Sequence, residues 1–208
     1  MAKNIVGKTI LKTVIAVIIV IAIVYAVLSL LIPQHMATMY SNLGAYSAAA
    51  RYASLRYTYT GNIEDLDTCA TYAVLSGKDK NIITFCGELL ENDEFDDYCS
   101  EKEESEDYRQ YIYASISSSY YNTGDTESAV EYAETALGSI DYFPVNNAVG
   151  VLTVRIGEAK DGSTAAVLYS YMTSWTEEKG YVPENAAETE QTYYAAVMNV
   201  LLSCKGGA

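Results

Sequence analysis

Hydrophobic and polar positions follow two patterns along this chain. From residue 13 to residue 32 it reads TVIAVIIVIAIVYAVLSLLI, 20 residues without a charge. At about 1.5 Å per residue such a helix is about 30 Å long, the hydrocarbon thickness of a bilayer, and the run predicts a transmembrane helix. Tyr25 and Ser29 are tolerable inside it. Beyond Pro33 the apolar residues become periodic instead of continuous. Leu66, Cys69, Ala70, Ala73 and Val74 fall at three-and-four spacing on one helix face, and Gly77 closes that helix. Turn signals at Gly61 and Asn62, Asn92 and Asp93, Gly124 and Asp125, and Asp161 and Gly162 recur at spacings of 31, 32 and 37 residues, each between two helix-like stretches. A last amphipathic helix lies between Pro183 and Gly206, where a stack of helices caps its exposed core.

The pattern predicts an all-α protein: a transmembrane helix, then an α-solenoid of about four degenerate helical hairpins and a capping helix. Residues 148–173 carry two readings. Val149, Leu152, Ile156 and Ala159 suit a helix face, but the same segment also fits a β-hairpin closed at Asp161 and Gly162. Helical neighbours and the preserved loop spacing favour the helical reading.

The hairpin at 111–138 is the clearest. Tyr113, Ile116, Ser117 and Tyr120 line its first helix, Gly124 and Asp125 form the turn, and Ala129, Ala133 and Ala136 form a small-residue stripe on the second. Such a stripe lets the second helix press close while the tyrosines of the first fill the groove. In these positions the segment resembles a tetratricopeptide repeat. The hairpin around Gly61 keeps Tyr57, Gly61 and Ala73 but has Leu66 where that family has a small residue; the hairpin at 82–103 keeps only the periodicity, with a shortened second helix. The resemblance implies a concave groove for a peptide ligand, whose lining corresponds to Arg51, Leu55 and Tyr59 in the first hairpin and to Ser118, Tyr121 and Asn122 in the third.

Charge divides the 208 residues unevenly. Lys3, Lys8 and Lys12 precede the apolar run, the next basic residue is Arg51, and no acidic residue occurs before Glu64. By the positive-inside rule this predicts a cytoplasmic basic tail at 1–12, a span at 13–32, a linker at 33–38 and an acidic extracytoplasmic domain at 39–208. A cleaved signal peptide fits less well, because its apolar region runs about 7–15 residues and ends in a small-x-small site. A pilin-like leader cut at Gly7 would be followed by an acidic residue, which is missing. The tail of about a dozen residues is too short to fold, so function is expected in the outer part. The whole chain's net charge of -14 disfavours nucleic acid as a ligand.

Composition narrows the chemistry further. With 50% hydrophobic residues the chain is too apolar to be disordered, and with one histidine, His35, it has little material for histidine-based catalysis or zinc binding. GxSxG, HExxH, SxxK and phosphate-binding glycine loops are absent, so no enzyme activity and no cofactor are expected. The acidic run at 91–107 lacks the spacing and mid-loop glycine of a calcium loop and reads first as solvated surface, with calcium as the competing reading. Cys69, Cys86, Cys99 and Cys204 form no CxxC pair; buried thiols and a disulfide among them both remain open. Twenty tyrosines suit either a shallow core or a binding face. The expected function is a membrane-anchored interaction or assembly module, adaptor or chaperone-like, that holds another membrane or secreted protein near the bilayer. A self-associating envelope or pilin-like surface component, and hence a homo-oligomer, is the alternative.

Overall fold

The structure, a computed structural model, describes residues 2–102 and 105–206. Among them every regular element is a helix, and there is no strand. The helices are α1 (Ala2–Leu31), α2 (Pro33–Asn42), α3 (Tyr46–Thr60), α4 (Ile63–Ser76), α5 (Asp79–Leu90), α6 (Phe95–Ser100), α7 (Ser105–Asn122), α8 (Thr126–Gly138), α9 (Ala148–Ala159), α10 (Gly162–Lys179) and α11 (Glu188–Gly206), with a 3-10 turn at Pro183–Asn185. All four turn signals separate helices as expected. The chain divides into two compact units, one ending at Ser76 and the other beginning at Gly77.

In the N-terminal unit, α1 is continuous through the apolar run and ends where Pro33 opens α2. Proline lacks the N–H that would continue α1, but it is well placed in the first turn of a new helix. The expected linker at 33–38 is therefore helical, the first part of α2. Gly44, with φ +71, occupies the left-handed region that lets the chain turn from α2 into α3 without a Cβ clash. Packing between α3 and α4 rests on small residues: Ala49, Ala50 and Ala53 meet the face carrying Leu66, Cys69, Ala70 and Ala73, all essentially inaccessible. Asp65 adds a polar tie between these helices. It lies 2.8 Å from Arg56 Nε and accepts a 2.6 Å hydrogen bond from the Thr60 hydroxyl.

The C-terminal unit is built in two rows. Helices α5, α7, α9 and α11 pack each on the next; α8 packs against α7 and α9, and α10 against α8, α9 and α11. The core between the rows contains Ala129, Ala133, Ala136 and Leu137 of α8, Val149, Leu152 and Ile156 of α9, and Leu168, Met172 and Trp175 of α10. The alanine stripe of α8 thus does what its spacing predicts. Facing it, Ile116 and Ser117 of α7 are fully buried, and the Ser117 hydroxyl donates to the Ala129 carbonyl at 2.7 Å. Tyr120 stacks on Tyr132 at 5.4 Å between ring centres. Residues 148–173 are helical: α9 ends at Lys160, a left-handed residue with φ 54, and Asp161 caps α10 by accepting the Thr164 N–H at 3.1 Å. The second hairpin is degenerate in space as in sequence, since α6 has only six residues.

Candidate functional site

Along α1, residues Ile10–Leu31 form a helix long and apolar enough to cross a bilayer. Its large side chains are exposed for most of that length. Near its C-terminal end the surface changes character. Tyr25 shares hydrogen bonds with the hydroxyls of Tyr40 on α2 and Tyr52 on α3, at 2.5 and 2.6 Å. Ser29, buried, donates to the Tyr25 carbonyl at 2.7 Å and lies 3.3 Å from the Tyr52 hydroxyl. The rings of Tyr40 and Tyr52 stack at 5.3 Å, tilted by only 8°. The two residues that interrupt the apolar run are the ones that fasten it to α2 and α3.

The expected groove positions fall on α3 in the N-terminal unit and on α7 in the C-terminal unit. On α3, Arg51 and Tyr59 are exposed and Leu55 is half-buried. On α7 the three side chains are engaged within the protein. The Ser118 hydroxyl accepts from Arg155 Nε of α9 at 3.3 Å, the Tyr121 hydroxyl donates to Asp161 at 3.3 Å, and Asn122 Nδ2 donates to Asp79 of α5 at 3.0 Å. These residues tie α7 to the helices on either side of it. Burial and the Asp161 carboxylate push the Tyr121 hydroxyl up to about 12. Burial alone would raise Asp161, but the hydroxyls of Thr164 and Ser163, the Thr164 amide and Tyr121 together hold it down to about 2.

A cleft of about 610 Å³ opens between α8 and α10. Glu127, Val130, Glu131 and Glu134 line it from α8, and Ser163, Thr164 and Val167 from α10. Burial, and secondarily the charge of Glu131, push the Glu134 carboxyl above its ordinary range. The Tyr171 hydroxyl donates to the Glu134 carbonyl at 2.8 Å, holding this edge of the cleft to α10. Sequence reasoning missed this site. Its signal was present: the glutamates at 127, 131 and 134 share the helix face opposite the alanine stripe.

The acidic run has a structural basis of its own. Phe95 and Cys99 anchor α6 in the interior, Arg109 of α7 reaches Asp96 at 2.6 Å, and Lys102 lies over the rings of Tyr98 and Tyr108. Glu103 and Glu104 lie outside the described residues. Among the described residues no three His, Cys, Asp or Glu side chains converge where a metal ion would sit. The four cysteines are thiols, with Cys69, Cys86 and Cys99 buried on α4, α5 and α6 and Cys204 half-buried on α11. The Cys69 thiol donates to the Asp65 carbonyl.

No family model, curated protein or solved structure matches the chain.

Proposed function

We propose that this chain is a single-pass membrane protein whose basic tail is cytoplasmic and whose acidic helical part is extracytoplasmic, acting as a tetratricopeptide-repeat-like interaction or assembly module without catalysis. The observation that carries the reading is the two-row packing of α5 and α7–α11 joined in one chain to a helix with an exposed apolar surface. Stacked helical hairpins present long, rigid faces for binding. A membrane tether raises the effective concentration of such a face toward other membrane or emerging secreted proteins, so individual contacts can be weak.

The cleft between α8 and α10 is the surface assigned to the partner. Three glutamates around the exposed Val167, with the buried Val130 beneath, suit a segment that is basic and apolar, because charge complementarity speeds encounter while contact with Val167 buries apolar surface. The α7 side chains Ser118, Tyr121 and Asn122 serve the stack instead, since each is already bonded to a neighbouring helix.

Crosslinking the full-length protein in its native membrane and identifying what is recovered tests this. The expected result is a different membrane or secreted protein, lost in the Glu131→Lys, Glu134→Lys double variant while the fold is retained. Recovery of this chain alone would replace the adaptor reading with that of a self-associating surface component. A protease added outside intact cells should digest the helical part and spare the tail; the reverse pattern would overturn the orientation.

A further inference from the structure

The tyrosine cluster sets how deep α2 and α3 sit relative to the bilayer, given the proposed reading of α1 as a membrane span. Lys12 marks the inner end of the uncharged run and Ile32 the outer end. Tyr25 lies seven residues before Ile32, about 10 Å of helical rise. Yet Tyr40 and Tyr52 meet Tyr25 at 2.5 and 2.6 Å, and Ser29, one turn further on, is buried. The last two turns of the apolar helix therefore run alongside α2 and α3.

Two arrangements satisfy this geometry. In the first, α1 slides inward until Tyr25 reaches the surface. That leaves residues 13–24 as the uncharged span, about 18 Å of helix, and draws Lys12 and Lys8 into hydrocarbon, where a lysine is strongly disfavoured. In the second, α1 stays in place, and α2 with the start of α3 enters the outer interfacial layer. The sequence favours the second. Between Lys12 and Arg51 there is no Asp, Glu, Lys or Arg, so all of α2, the Gly44 turn and the first turn of α3 are uncharged in a chain with 19% charged residues. Met39 on α2 and Leu43, the residue that follows α2 one turn later, are 42% and 72% exposed. Tyrosine is enriched at the depth where the cluster would lie.

We propose that α2, the Gly44 turn and the first turn of α3 lie in the outer headgroup layer, with Met39 and Leu43 facing lipid and the tyrosine cluster holding the unit at that depth. The occupant of this face is the bilayer interface. Apolar side chains reaching about 5–10 Å into the headgroup boundary are the ordinary mode of such contact. The N-terminal unit then rests on the membrane instead of swinging on a flexible stalk.

The test uses the full chain in phosphatidylcholine vesicles with a nitroxide on Leu43→Cys, on Ile18→Cys within the span, or on Leu75→Cys at the exposed end of α4. Each is made in a Cys204→Ser background, where the three native thiols are buried. All three labelled positions are exposed, so labelling leaves the packing intact. Collision with a water-soluble nickel chelate is compared with collision with oxygen. Position 43 is expected to meet nickel on the order of fivefold less often than position 75, and a Tyr25→Phe, Tyr52→Phe variant should narrow that ratio by releasing the tie. Equal nickel access at 43 and 75, with 18 still protected, would overturn the seating while leaving the span intact. Nickel access at 18 would overturn the span itself, and the seating with it.

Discussion

Gln110 and Ala148, 38 residues apart, are joined by a hydrogen bond that holds three helices at one point. The Gln110 side-chain oxygen accepts the Ala148 N–H at 3.2 Å, while its nitrogen donates to the Ala136 carbonyl at 3.0 Å. Ala136 lies near the end of α8 and Ala148 opens α9, so one amide on α7 satisfies two of the backbone groups that helix ends leave without intrahelical partners. Gln110 is 2% exposed, so water cannot substitute. Gln110→Met keeps the volume and strips both bonds. We expect it to cost about 2–4 kcal/mol, read from the urea midpoint of the detergent-solubilised chain by fluorescence of Trp175, its single tryptophan. A change under about 0.5 kcal/mol would show that the amide is not holding these ends.

Gly150 separates propensity from packing. In an exposed helix an added methyl group is worth up to about 1 kcal/mol of stabilisation, but a Cβ here would overlap the Tyr193 ring of α11. Gly150→Ala should therefore destabilise the C-terminal unit by about 1–3 kcal/mol. Pairing it with Tyr193→Ala should relieve the overlap, so the two changes together should cost less than the sum of each alone. Strict additivity in the same unfolding assay would show that α9 and α11 do not meet at this point.

Asp161 gives the C-terminal unit an acid limit. Its carboxyl titrates near 2 in the folded protein against an ordinary 3.8, so the stabilisation it provides is complete above about pH 4 and is lost as pH falls toward 2. Asp161→Asn keeps an acceptor for the Thr164 amide but not the charge that these donors stabilise, so it should lower neutral stability and flatten the acid limb of the stability profile. Asp161→Ala removes the cap and should cost about 1 kcal/mol at pH 7. An unchanged acid limb in the Asn variant would place the acid sensitivity elsewhere.

Much of this protein is written locally. The span of α1 follows from 20 successive uncharged residues; three of the four turns follow from a left-handed glycine at Gly61 and Gly124 or an aspartate cap at Asp125 and Asp161, and the other from Asn92, whose side chain accepts the Glu94 N–H. The burial of Ala129, Ala133 and Ala136 follows from their spacing alone. These features depend on energies that act within one or two helical turns, and a single sequence displays them directly.

Partner choice across the fold is different. The apolar pattern of 148–159 satisfies both a helix and a strand; the close approach of α11 at Gly150 and Gly157, some 43 residues further along the chain, is part of what the helical form alone provides. Ser118, Tyr121 and Asn122 have the spacing of groove residues, but Arg155, Asp161 and Asp79 take up their hydrogen-bonding groups across the stack. The acidic cleft needed α8 and α10 side by side before its three glutamates became one wall. Likewise Tyr25 reads from sequence as a tolerated polar residue in an apolar helix, and only the return of α2 and α3 makes its hydroxyl a fastening point. Periodicity and caps are set by neighbours in the chain, whereas the identity of a side chain's distant partner is settled only when all the buried surfaces are packed at once.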